Sequence, residues 1–483
     1  MSSIIVIGSG LGSLSAAALL AKQGFKLLIL EQNWLPGGCT TTYPRKNFLF
    51  ESGATTLVGL DPGMPLDILQ KKLGIIFPAW KLKHPMQVIL PDGTTLQRHE
   101  NLETWIKEAE RVFGKNGQRK FWTTSFKISQ WVWNSSGRFL TFPPERPHDF
   151  WPLIKNTQRK DLKQLKYAFI SVKKFMQSCG ITHPMFESFV NEQLMVTAQN
   201  HADEVNMLFG ATALCYTNTG NYYVPGGMIS LVETLISLIE KNGGKIHYRE
   251  SVKSITKSEG KYVIQTSANR YSSEFVISGI PLNNLAEITD QHTFPKNKKI
   301  FQASELCSAF QVGLVVRGIE KPECLHHQIH TEKFKESLGS SSLFLSFSHP
   351  EDEKRTANNS YVLSVSTHIH PAGKEISISK EQLIENVVQE LQNKQLLSAD
   401  KIIYAHASMQ KSWKKWTGRK FGFVGGYPQK LSIYPWAMNG SRIDNHGLYG
   451  CGDSFYPGQG IPGVVLSGII AAEKLIRDHG KPK

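Results

Sequence analysis

An α/β fold is what this sequence predicts, and three observations carry the prediction. A β-branched run, Ile4-Ile5-Val6-Ile7, feeds a glycine-rich loop, an Ala/Leu-rich stretch and a second apolar run that ends at Glu31. Short strand-like runs recur between Lys245 and Ile277. Near the carboxy end, Gly447 to Gly463 reads as a strand, a glycine-dense turn and the start of a last helix. Strands alternating with helical segments in this order build a parallel sheet with helical crossovers.

Composition bounds the rest. The 483 residues suffice for two or three domains of about 100–200 residues, or for one interleaved unit. Apolar residues make up 40% and charged residues 20%, which excludes a disordered or collagen-like chain. Lys and Arg number 55 against 40 Asp and Glu, a net charge of +15 that points to an anionic partner without choosing one. The six cysteines form no Cys-x-x-Cys pair, so neither a zinc ribbon nor a dithiol redox site is expected. Ile4 to Ala21 is an uncharged stretch of 18 residues, but no basic residue precedes it and glycines at 8, 10 and 12 interrupt it. We therefore expect no signal peptide and no transmembrane span, and a cytoplasmic chain, peripheral on a membrane.

The amino-terminal loop carries the first chemistry. Gly8-Ser9-Gly10-Leu11-Gly12-Ser13 joins a buried strand to a helix, Lys26 to Leu30 is the next strand, and Glu31 closes the βαβ unit. Gly8 permits the tight turn. Gly10 lets the backbone approach a pyrophosphate on the helix N-terminus, where free N–H groups and the helix dipole favour negative charge. Glu31 offers two acceptor oxygens to a pair of ribose hydroxyls and argues against a 2′-phosphate. Ser13 replaces the Gly or Ala of the usual sixth position and is small enough to keep helix and strand packed.

Further blocks set the cofactor. Pro36-Gly37-Gly38-Cys39-Thr40-Thr41, Phe50-Glu51-Ser52-Gly53-Ala54-Thr55, Tyr223-Val224-Pro225-Gly226-Gly227-Met228 and Gly447 to Gly463 follow in order. With them the chain resembles the phytoene desaturase, carotenoid isomerase and retinol saturase family, which shares its fold with amine oxidases. The resemblance implies a Rossmann-type (GR2-like) FAD-binding domain interleaved with an α+β substrate domain. It assigns FAD contacts to Gly8, Gly10, Leu11, Gly12, Ser13, Glu31, Gln32, Gly37, Gly38, Cys39 and Thr40. Val252 would touch adenine through its backbone, Gly452 and Asp453 would meet the ribityl or pyrophosphate region, and the Gly460 and Ile461 amides would face the flavin. Cys39 stands where amine oxidases place Arg, and Glu51 where many desaturases carry Asp. No aromatic cage or flavin-linking residue is recognisable.

On this reading residues 1–80, 215–295 and 425–483 form the FAD-binding domain, while 81–214 and 296–424 form the substrate and membrane-docking domain. Lys115 to Lys174 holds 13 basic residues against three acids, and 11 aromatics. Leu162, Leu165, Phe169, Val172 and Met176 recur at helical spacing with lysines between them, which predicts a basic amphipathic helix suited to anionic lipid. The alternative is a packed helix with a solvated lysine face. No nucleic-acid recognition module is present, so nucleic acid is not expected as a partner. His326, His327 and His330, and the pair His368 and His370, lack the acids or cysteines that complete a metal site; surface or packing roles are expected, and no metal. Phe421 to Pro428 reads as a loop lining the substrate channel.

The resemblance implies an FAD-dependent oxidoreductase acting on an apolar isoprenoid polyene of carotenoid type. Desaturation, with an allylic hydride passed to flavin N5, is the leading expectation. Cis–trans isomerisation or retinol-saturase-like reduction with reduced FAD is the alternative, and Pro457-Gly458-Gln459-Gly460 resembles plant-type isomerases. A non-catalytic isoprenoid escort, as in the Rab escort and GDP-dissociation inhibitor proteins, is the second alternative. No catalytic base can be named from the sequence.

Overall fold

A computed structural model describes residues 3–290, 294, 297–356 and 359–482. The expected domain limits at 1, 295, 296 and 483 lie outside the described residues.

Five parallel strands form the sheet that carries the glycine loops, in the order Leu448–Gly450, Phe275–Ser278, Ser3–Ile7, Lys26–Glu31, Lys245–Tyr248. Helix Leu11–Lys22 makes the first crossover, and every residue from Leu11 to Ala21 is buried. It packs between the sheet and the helices Ile229–Lys241 and Ile461–His479. That burial on all sides explains the long uncharged stretch, because a helix covered all round has no polar face to keep. Among the described residues no helix is long and apolar enough to cross a membrane.

Beside this sheet lies an antiparallel one, Val252–Ser258, Lys261–Thr266 and Arg270–Ser273. Its first hairpin turns on Glu259 and Gly260, both at positive φ, the backbone a two-residue turn requires.

A seven-stranded sheet runs Ile402–Ser408, Ser308–Arg317, Ser360–Ile369, Ser342–Phe347, His326–His330, Met86–Ile89, Thr95–Arg98. Its pairings are antiparallel except that between His326–His330 and Met86–Ile89. Ser308–Arg317 is buried along all but its last residue, as suits an inner strand covered on both faces. Helices Leu102–Phe113, Gln118–Ser136, Pro184–Ala198 and Met207–Leu214 share a separate apolar core around Trp105, Trp122 and Phe186.

One expectation is corrected here. The apolar spacing from Leu162 to Met176 is not one helix. Helix Arg159–Gln164 passes into a 3₁₀ turn, Leu165–Ala168, and a new helix starts at Val172. Ser171 caps that second helix, accepting from Lys174 N, and Val172 N donates to Val205 O at 2.9 Å. Tertiary pairing wins over the periodicity, and the two halves separate: Leu162 and Phe169 are exposed, Val172 and Met176 buried.

Candidate active site at the carboxyl edge of the parallel sheet

Ligands of open parallel sheets bind beyond the carboxyl ends of the strands. Here Gly8, Glu31, Gly279 and Gly452 stand at or just past four of those ends. Gly8 has φ +82, and its N–H donates to Leu30 O at 2.9 Å, which turns the chain sharply into the helix. Gly10 precedes the helix, and among the described residues no side chain caps that N-terminus, so its first amides keep their donors. A Cβ on Gly10 or on Gly38 would meet nothing within 4 Å. These two glycines border open space, which leaves the backbone open to approach. Gly37 N donates to Ser9 O at 3.0 Å, which holds the second glycine pair beside the first loop.

Gly12 also serves packing. A Cβ there would lie 2.9 Å from Val464 O and 3.3 Å from Gly452, because helix Ile461–His479 crosses at that point. Ser13 fits for a reason the sequence hid: Gly279 lies opposite and leaves the room, and the Ser13 hydroxyl donates to Gly8 O at 2.7 Å.

Glu31 is buried, and much of its accepting capacity is used within the chain. Oε2 accepts from Ser9 N at 2.9 Å and Ser9 Oγ at 2.5 Å, and Oε1 from Asn33 N at 2.8 Å. A carboxylate has about four acceptor sites, so about one remains for a ribose hydroxyl. Gln32 Nε2 donates to Trp416 O at 3.3 Å. Val252 opens its strand opposite Thr266, two residues beyond Glu250, whose N–H donates to Glu31 O at 2.8 Å.

Cys39, Thr40, Asp453, Gly460 and Ile461 line one cavity of about 720 Å³. Gly452, at φ +106, donates its N–H to Ser467 Oγ and aims Asp453 inward. Asp453 Oδ2 accepts from Arg419 Nη2 at 2.7 Å. Burial pushes the Cys39 thiol up, Arg419 pulling the other way, so Cys39 is a neutral part of the wall.

From this end the cavity continues between apolar side chains, among them Trp131, Phe139, Leu208, Phe209 and Phe344. It also includes Leu162, Leu165 and Trp436, which are exposed and mark where it opens. Val424 and Gly425, from the 421–428 loop, line it. Polar groups are few. Asp161 is locked by Arg138 and by Trp131 Nε1; burial works against its charge, yet these bonds hold its pKa down at about 2. His368 is kept neutral by burial, at about 4, and stands 3.4 Å from Gln199 Nε2.

Glu51 does not reach the cavity lining. It accepts from Thr42 Oγ1 at 2.7 Å and Arg355 Nη1 at 2.9 Å, and Arg355 also donates to Tyr223. A buried arginine thus ties the block around Gly53 to the block beginning at Tyr223. His326, His327 and His330 are buried in the seven-stranded sheet, neutral, their pKa values pushed by burial to about 3, 4 and 4. They are packing groups, far from surface roles. Among the described residues no cluster of three His, Cys, Asp or Glu could hold a metal.

Sequence reasoning missed Trp413, Trp416, Arg419 and Gly279. Gln32 and Trp416 are 384 positions apart, and no local pattern announces such a contact.

The groups present fit a flavin dinucleotide: two uncapped or left-handed glycine turns with open space, one free acceptor site on Glu31, and an acid at the Gly-Asp turn. Residues 6–67 match an NAD(P)-binding Rossmann-like domain. Prolycopene isomerase 2 of an Oncidium hybrid cultivar is 25% identical over 99% of this chain and 84% of its own. The 1-hydroxycarotenoid 3,4-desaturase of a Flavobacterium species is 20% identical over 98% and 99%. An oxidoreductase from Methanosarcina mazei has the same fold, with a TM-score of 0.63 at 17% identity over 98% of this chain and 100% of that one. Residues 175–476 match the flavin containing amine oxidoreductase family. That match spans more than half of the chain, which belongs to this family and is an FAD-dependent oxidoreductase.

Proposed function

We propose that the protein exchanges hydride with the conjugated system of an apolar isoprenoid polyene, and that it works as a desaturase. The observation that carries this reading is the single cavity that starts at Cys39, Asp453 and Ile461 and continues between apolar side chains to an opening at Leu162 and Trp436. Gly8, Gly10, Leu11, Gly12, Ser13, Gly37 and Gly38 would hold the pyrophosphate end of FAD, with Glu31 at a ribose and Val252 at the adenine. Gly452, Asp453, Gly460 and Ile461 would hold the ribityl and flavin end, beside Cys39 and Thr40. When bound, FAD supplies a two-electron acceptor or donor for hydride.

The chain supplies position and dryness. Desaturation removes a hydride from one allylic carbon and a proton from its neighbour. Among the described residues that line the cavity both carboxylates are paired, Asp453 at the reacting end with Arg419 and Asp161 near the mouth with Arg138. A cation spread over a polyene loses its proton readily, so no strong base is required, and a neutral wall does not trap the charge.

Isomerisation is the second reading, and a specific observation favours it: the prolycopene isomerase is the more similar of the two relatives above. Anaerobic incubation of oxidised and of pre-reduced protein with a polyene separates the readings. A longer conjugated product from oxidised protein alone supports desaturation. A product of unchanged formula and altered geometry, formed only after reduction, supports isomerisation. No change of the polyene in either state contradicts both.

The opening suits an anionic bilayer as the source of substrate. Phe150, Trp151 and Ile154 on helix Pro147–Asn156 are exposed, as are Leu162 and Phe169, with Lys155, Arg159, Lys160, Lys163 and Lys166 exposed around them. Apolar anchors within a basic rim at the mouth of an apolar cavity match a surface that offers negative headgroups and holds the polyene.

A further inference from the structure

The side chains that the glycine-rich blocks bring to the cradle are neutral or acidic; Glu31 and Asp453 carry the only charges among those assigned to the cofactor. FAD adds the two negative charges of its pyrophosphate. Helix dipoles offset part of that, and a neighbouring cation would offset more.

Such a cation arrives from a distant part of the chain. Helix Gln410–Thr417 docks on the cradle. Trp416 O accepts from Asn33 Nδ2 at 2.6 Å, Trp416 Nε1 donates to Gly38 O at 3.4 Å, and the Trp413 ring would lie 3.6 Å from a Cβ on Gly53. Gly418, left-handed at φ +69, ends the helix and reverses the chain, and its carbonyl accepts from Asn284 Nδ2 at 2.8 Å. Arg419 then turns toward Asp453, with its guanidinium 5.1 Å from the centroid of the Phe423 ring. Its Nη2 donates to Asp453, while Nη1 is buried without a hydrogen-bond partner among the described residues. A buried donor on a charged group is costly to leave unpaired, and the unpaired one here belongs to a guanidinium tied to Asp453, which lines the cavity.

We infer that Arg419 is a phosphate clamp for the cofactor, with Nη2 fixing Asp453 and Nη1 donating to a pyrophosphate oxygen of FAD. The clamp gives the cradle the cation its own motifs lack, and it makes the 410–419 segment part of the cofactor site. Burial works against the guanidinium charge, but the Asp453 carboxylate raises its pKa overall, so it stays ionised. The inference depends on FAD as cofactor and is independent of the substrate.

The test titrates FAD into apoprotein, following flavin fluorescence at several salt concentrations, with an apoprotein melt as the folding control. Arg419→Met should weaken FAD binding by about tenfold to a hundredfold and flatten its salt dependence. Arg419→Lys keeps a charge for Asp453 but has a single nitrogen, and should lose about tenfold. Lys420→Met, next door and outside the site, should bind FAD as the wild type does. Placing the charge on the neighbouring loop, with Cys39→Arg added to Arg419→Met, should recover part of the loss. If Arg419→Met does not fold, the lysine variant decides. A folded Arg419→Lys or Arg419→Met protein with wild-type FAD affinity and salt dependence overturns the inference.

Discussion

The cradle and the apolar cavity meet at Cys39 and Asp453, yet they are built by different means. The cradle is backbone: Gly8 and Gly452 just past strand ends, Gly10 at a helix start, and Gly37 and Gly38 at positive φ in the loop beside them. The cavity is side chains gathered from at least five separate segments, including Trp131, Leu208, Phe344, Val424 and Trp436. Backbone recognition demands particular residues at fixed spacing, because only glycine adopts those turns or leaves that space. An apolar wall demands only volume and hydrophobicity, which many residues satisfy. One region therefore specifies its ligand in short local patterns, and the other does so only when folded.

A packing glycine behind the cradle and a glycine within it give the sharpest way to break that contrast, and the largest effects. A Cβ on Gly468 would lie 2.1 Å from Gly12 O, where two helices cross. Gly468→Ala should cost about 3 kcal/mol of stability, read by urea unfolding of apoprotein. Gly10→Ala should leave apoprotein stability unchanged and weaken FAD binding by about tenfold or more, since its Cβ enters only the cofactor's space. Equal effects of the two substitutions on folding would erase the distinction between packing glycines and ligand glycines.

The cavity should respond in the opposite way. Phe209 lines it away from the cradle motifs. Phe209→Asn should keep FAD affinity and lower polyene turnover by about tenfold, because a bare amide in an apolar wall disfavours the hydrocarbon. Loss of FAD binding in this variant would show the two regions to be one unit.

A third effect lies outside both. Burial holds His330 neutral, with its pKa at about 4, and neither ring nitrogen has a partner among the described residues. Below about pH 6.5 the unfolded chain takes up a proton that the folded chain refuses, so stability falls as pH drops toward 4. At pH 5 the loss from His330 alone is about 2 kcal/mol. His330→Leu should remove that share of the pH dependence, measured by urea unfolding at about pH 7.5 and 5. An unchanged slope would contradict it.

The smallest effect is at the mouth. Trp151→Glu should weaken binding to anionic vesicles by about fivefold, one surface charge being worth about 1 kcal/mol, and leave FAD binding intact. Unchanged vesicle binding would remove the bilayer from the account.

The legibility of the sequence follows the same division. The βαβ unit, the strands Lys245–Tyr248, Lys261–Thr266 and Phe275–Ser278, and the carboxy-terminal turn were readable because strand period, glycine and helix onset lie close together in the chain; the strands Val252–Ser258 and Arg270–Ser273 between them, polar and mostly exposed, were not. The amphipathic stretch from Leu162 to Met176 misled, since Ser171 and Val205 impose a break that side-chain spacing does not encode. Arg419 was silent: its meaning comes from Gly418 reversing the chain toward Asp453. Gly279, which makes Ser13 acceptable, was silent for the same reason.

On the proposed reading, cofactor and apolar substrate share one cavity. The most direct test of this is the anaerobic visible spectrum of the FAD-loaded protein while a polyene is added, with tryptophan fluorescence reporting polyene binding. The flavin bands should change, by shift or by bleaching, in step with occupancy. Polyene binding that leaves the flavin bands untouched would contradict it.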